Sequence, residues 1–78
     1  MSDKAYERRR KRRERIAEQY RNLVLDYMKT RQSGDIIKTG TLIHGVCMFR
    51  YALEMADPNG KWSRKCSKIW NECEDGNK

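Results

Sequence analysis

Apolar side chains recur along this chain at helical intervals in three stretches, and the pattern breaks between them at glycine and proline. The first stripe holds Ile16, Tyr20, Leu23, Val24, Tyr27 and Met28, spaced so that all six share one helical face. The second holds Leu42, Val46, Phe49, Leu53 and Ala56, with Ile43 and Cys47 widening it. Trp62, Cys66, Ile69, Trp70 and Cys73 make the third. Gly34, between Ser33 and Asp35, is a natural residue to follow a helix end. The run Asp57, Pro58, Asn59, Gly60 stops the second helix. The pattern predicts an all-α, three-helix mini-domain with a long, basic N-terminal helix. That helix extends from residue 3 to about 31. The others occupy about 41–56 and 62–74, and residues 35–40 read as a connector. Tyr20, Leu23, Tyr27, Leu42, Val46, Phe49, Leu53, Ile69 and Trp70 are the expected core.

The first helix divides in two. Between Ser2 and Ile16 only Ala5 and Tyr6 are apolar, so residues 1–15 form an arm with almost nothing to bury. Helical stability in proteins comes mainly from packing an apolar face. The arm is therefore expected to be frayed alone and helical when bound, while residues 16–78 make a small helical body whose first helix is about 16–32. Local signals support a helical arm: Ser2 as N-cap, Asp3 and Glu7 near the positive end of the dipole, and Glu7 with Lys11 as an i,i+4 pair. Ser63 is the expected cap of the third helix, whose last turn is acidic at Glu72, Glu74 and Asp75, the unfavourable sign for that end.

Charge turns this outline into a functional expectation. Seven of the eight residues Arg8, Arg9, Arg10, Lys11, Arg12, Arg13, Glu14 and Arg15 are cationic. Nine cationic and four anionic side chains fall in residues 1–22, against nine and seven in residues 23–78, within a formal net charge of +7. Such a run repels itself and gains nothing by folding. A polyanion relieves it, and guanidinium groups suit phosphate because they donate bidentate hydrogen bonds. On a helix, consecutive arginines point all the way round, which suits a groove with phosphates on both sides.

The run, continuing into Ile16, Ala17 and Glu18, resembles the arginine-rich motif of lambdoid phage N antitermination proteins, which binds an RNA hairpin as a helix. The resemblance is compositional, covers about 15 of the 78 residues, and does not extend from Ser33 onward. It implies that Arg8, Arg9, Arg10, Lys11, Arg12, Arg13 and Arg15 contact phosphates and that Tyr6 or Tyr20 stacks on a base.

Lys61, Arg64, Lys65 and Lys68 give the third helix a basic face, as a groove-reading helix needs, although an ordinary solvated lysine face is the favoured account. The connection from Ala56 to Trp62 is longer than a helix-turn-helix turn. A short strand at residues 36–38 would suggest a ribbon-helix-helix dimer, but Ile36 and Ile37 are adjacent and spoil the alternation. His44 and Cys47 share a helical face, whereas Cys66 and Cys73 stand about 10 Å apart along a helix, too far for one zinc with bonds of about 2.0–2.3 Å. No metal or other cofactor is expected. One histidine, no phosphate loop and no nucleophile beside a base argue against an enzyme.

Three cysteines, an odd number, and no apolar stretch after the charged N-terminus point to a reducing, cytoplasmic compartment rather than secretion, with all three thiols free and buried. No segment approaches the ~20 apolar residues of a membrane span. The expected function is a small nucleic-acid-binding regulator. RNA is favoured over DNA, because an isolated arginine-rich helix suits a distorted RNA groove. Tyr51, Met55 and Trp62 are the expected protein-docking residues, facing a polymerase, a nuclease or a second copy of the chain. The competing class is an inhibitor or adaptor, suited to a phage or mobile element, whose polycation covers an acidic or nucleic-acid-binding surface of a larger complex. A further alternative is a transcription regulator reading DNA with the third helix.

Overall fold

The computed structural model describes residues 2–57 and 59–76. Three helices account for nearly all of it: α1 (Ser2–Ser33), α2 (Ile36–Ala56) and α3 (Lys61–Gly76). No strand occurs among the described residues. α1 is unbroken from the arm into the body. Ser2 is its first helical residue, and the expected side-chain cap falls outside the described residues.

The largest departure from the sequence expectation lies at residues 35–40, which are helical rather than a connector or a strand. Asp35 explains the difference. Its side chain accepts a hydrogen bond from the Lys38 backbone N–H at 3.0 Å, satisfying a donor that the first turn leaves open. Its carbonyl accepts from Thr39 N at 2.9 Å and from Thr39 Oγ1 at 2.6 Å. Gly34, at φ 84, ends α1, and its N–H donates to Arg31 O at 3.3 Å. Chain reversal therefore takes two residues, and α2 gains five at its N-terminal end relative to the expected start at 41. The ribbon-helix-helix alternative is excluded with it.

α3 also starts earlier than expected, at Lys61, so its connection to α2 is short. Asp57 again organises the turn. Its Oδ2 accepts from Trp62 N at 3.2 Å and its Oδ1 from Asn59 N at 3.1 Å. Gly60, at φ 77, lies where side chains are strained. Ser63, the expected cap, sits inside the helix instead.

α1 is the spine. Its Tyr20, Val24 and Met28 form a buried ridge at four-residue spacing, closed by Val46 of α2 and by Cys66, Ile69 and Cys73 of α3. Trp70, expected in the core, is instead half-buried beside it, its ring 5.7 Å from that of Tyr27. Tyr20 and Phe49 meet at 5.8 Å. Leu42 stands at the edge, in a polar hollow with Asp26, Lys29 and Lys38. Cys66 and Cys73 are buried free thiols, but Cys47 is exposed, contrary to the expectation that all three are buried.

Polar contacts from Arg21 and Arg50 tie the helices. Arg21 Nη2 reaches Glu72 Oε2 at 3.0 Å, so one acidic residue in the last turn of α3 serves a contact with α1. Arg50 bridges α2 to α3, donating from Nε to Glu54 Oε1 at 2.9 Å and from Nη2 to Ser67 Oγ at 2.8 Å. The order of these contacts sets the topology. Arg21 beside Glu72, with Arg13 beside Trp62, makes α1 and α3 parallel. Tyr20 beside Phe49 and Leu23 beside Gly45 make α2 antiparallel to both. The N-terminal arm consequently runs past the end of the body, in a molecule 51 Å in its longest dimension.

Burial pushes the Cys66 and Cys73 thiols above their ordinary 9.0 and the Tyr20 phenol above its ordinary 10.0. The neutral forms are thus favoured in the folded state. Their contribution to stability is complete below pH 9 and is lost as pH rises above it, because the unfolded chain ionises first. The urea midpoint measured with reductant should be flat from pH 7 to 8 and fall above 9, less steeply in Cys66→Ala; a midpoint unchanged to pH 10.5 would contradict this. Tyr20 also carries a buried hydroxyl with no hydrogen-bond partner among the described residues. Arg50 is near enough to oppose the rise in the phenol pKa but is otherwise engaged. Removing an unpaired buried polar atom is neutral or favourable. Tyr20→Phe should therefore leave the urea-derived stability unchanged or raised, and a loss of more than about 1 kcal/mol would show that the hydroxyl has a partner.

Candidate nucleic-acid interface

Every residue from Asp3 to Arg15 is exposed. At 3.6 residues per turn the seven cations of residues 8–15 encircle the helix. Glu14, the one anion among them, has Oε1 3.9 Å from Arg10 Nε, too exposed and too long a contact to offset much of the charge. The expected pair of Glu7 with Lys11 is not formed among the described residues.

The arginines are not equivalent, because one side of the arm faces α3. Arg9, Arg12 and Arg13 border a notch of about 450 Å³ whose other walls are Tyr6, Ile16 and Trp62. Tyr6, Arg9, Arg13 and Ile16 recur at three and four, so the line of the packed stripe continues into the arm with arginine stems where the body has apolar side chains. A second hollow of about 240 Å³ is walled by Arg13, Asp57, Lys61, Trp62 and Lys65. Arg13 and Trp62 belong to both, so the two hollows form one basic surface from the arm to the first turns of α3.

Trp62 is central to it. The Asp57 carboxylate fixes the backbone of the first turn of α3, and the parallel course of α1 and α3 carries the indole to the arm. Lys65 Nζ lies 5.3 Å from the centre of the ring, a cation–π contact that holds the ammonium at the surface. Arg9, Arg12, Arg13, Lys61 and Lys65 thus converge with two aromatic rings, and among the described residues Asp57 is the one acid lining the two hollows. Phosphates can meet the guanidinium groups while a planar ring enters the notch.

The other expected residues are placed elsewhere. Arg8, Arg10, Lys11 and Arg15 are exposed on the remaining sides of the arm, and Arg64 and Lys68 are exposed on α3 outside the two hollows. Tyr20 is fully buried and has no face to offer a base, which leaves Tyr6 as the aromatic residue of the arm. Tyr51 and Met55 are exposed on α2 and do not line the notch that holds Trp62. Sequence inspection missed the convergence itself. The signal was the spacing of Tyr6, Arg9, Arg13 and Ile16, masked by the mixture of apolar and cationic side chains.

Among the described residues no group of three His, Cys, Asp or Glu side chains is arranged to hold a metal ion. No helix is long and apolar enough to cross a membrane. The chain matches no protein-family model, no curated protein and no solved structure.

Proposed function

We propose that this chain is a nucleic-acid-binding regulator that recognises RNA in preference to duplex DNA. The arm's cations contact phosphates, and the Tyr6–Trp62 notch takes an unpaired base. The observation that supports this reading is the convergence of Arg9, Arg12 and Arg13 with Trp62 and Lys65 across two helices. A solvated charge run needs no aromatic neighbours. A regular duplex keeps its bases stacked, whereas RNA loops and bulges expose them for stacking on aromatic side chains. The body holds Trp62 in place and orients the arm.

The test is fluorescence anisotropy with a labelled RNA hairpin carrying a bulged base, a perfectly paired RNA and a DNA duplex, each titrated across salt. Contact by several arm cations predicts a log–log salt slope of roughly −3 or steeper. Arg9→Ala with Arg12→Ala should weaken binding to all three and flatten the slope while leaving the circular dichroism of the body unchanged. Trp62→Ala should cost roughly 1–3 kcal/mol on the bulged hairpin alone, with the slope unchanged. Affinity indifferent to salt and to the double substitution would overturn the reading. Capture of a protein that survives nuclease treatment, without measurable RNA affinity, would favour the adaptor class.

A further inference from the structure

Independently of what the arm binds, we infer that α2 is the interface of an antiparallel homodimer, formed by a second copy of this chain packing on its outer face. On α2, Val46 points into the core. Residues 37, 41, 44, 48, 51 and 55 lie on the opposite side of the same helix, at intervals of four and three. They are Ile37, Thr41, His44, Met48, Tyr51 and Met55, and all six are exposed. Ile37 is 84% exposed, Met48 53%, Tyr51 57% and Met55 68%. Among the described residues Lys38 is the one charged residue of the exposed class on α2. In a chain of net charge +7 this helix has an apolar face inward and, outward, a seam of four large apolar residues interrupted by Thr41 and His44. A helix with apolar residues on two opposite faces has more to bury than its own body covers, and the alternation of four and three is the seam of a helix pair.

Three features single out a second copy as the occupant. The seam is symmetric about position 46. An antiparallel copy sets Ile37 against Met55, Thr41 against Tyr51 and His44 against Met48. The large Tyr51 then meets the small Thr41 with Gly40 beside it, the alternation of large and small that facing helices need. One self-complementary surface meeting itself is the requirement of a two-fold dimer. The apolar area is also there to be covered: Ile37, Met48, Tyr51 and Met55 are each more than half exposed, with Ile36 on the flank. Charge then selects the direction. The arm leaves the body at the C-terminal end of α2, so antiparallel pairing places the two polycations at opposite ends of the dimer. Parallel pairing would set them side by side.

Sedimentation equilibrium of nuclease-treated full-length chain tests this. The wild type should be dimeric at micromolar concentration, and more so at high salt, which screens the repulsion between copies. That salt dependence is opposite in sign to that of RNA binding, so the two readings fail separately. Met48→Glu should raise the dimer Kd by about tenfold or more with helical content unchanged; Met55→Lys serves if that variant does not fold. In a Cys47→Ser background, a mixture of His44→Cys and Met48→Cys chains should form the mixed disulfide in preference to either like pair. A monomeric wild type, an unaffected Met48→Glu dimer, or a preference for like pairs would each overturn the proposal. So would a monomer that instead docks on lipid vesicles or on another protein.

Discussion

Mutual repulsion among seven cations in residues 8–15 is the constraint around which this molecule is arranged. A helix of such residues has good intrinsic propensity but no burial to hold it, and each added charge works against its neighbours. The chain meets the difficulty by making the arm the first half of a longer helix. The second half of α1 supplies the ridge of Tyr20, Val24 and Met28 on which both other helices rest. Nucleation is thus achieved in the body, and the arm is added by propagation, the less costly step. The charge is extended outward instead of being neutralised within the fold.

The same spine fixes α3. Cys66, Ile69 and Cys73 pack on the ridge of α1, and with α3 parallel to α1 the indole of Trp62 stands beside Arg13. Packing in the middle of the body therefore determines which arginines gain an aromatic neighbour. Asp57 contributes twice, ending α2 through its backbone N–H and starting α3 through its carboxylate.

Much of the fold was legible in the sequence. Three stripes with glycine or proline breaks gave three helices, and Tyr20, Val46 and Ile69 were correctly assigned to the core. What was not legible followed from capping and packing. Residues 35–40 looked like a connector because Ile36 and Ile37 have nothing to pack against. The Asp35 cap, a local hydrogen bond, outweighs that absence. Trp70, expected in the core with Ile69, is half-buried with its ring against Tyr27, while Cys66, Ile69 and Cys73 are the enclosed residues of α3. At the candidate interface the cations were plain from composition. Their division into a side facing Trp62 and sides facing solvent was not, because it depends on the parallel course of α1 and α3, which sequence spacing does not encode.

The central proposal is that the body nucleates the arm's helix and that a polyanion, by neutralising its cations, holds it, while the body's own order needs no polyanion. Amide hydrogen exchange resolved along the chain, at low salt, with and without a short RNA hairpin, measures it directly. The account predicts rapid exchange over residues 4–12 in the free chain, marked slowing there when RNA is added, and unchanged protection at Val24, Val46 and Ile69. Protection of residues 4–12 equal to that of the body in the free chain, and unaltered by RNA, would contradict it.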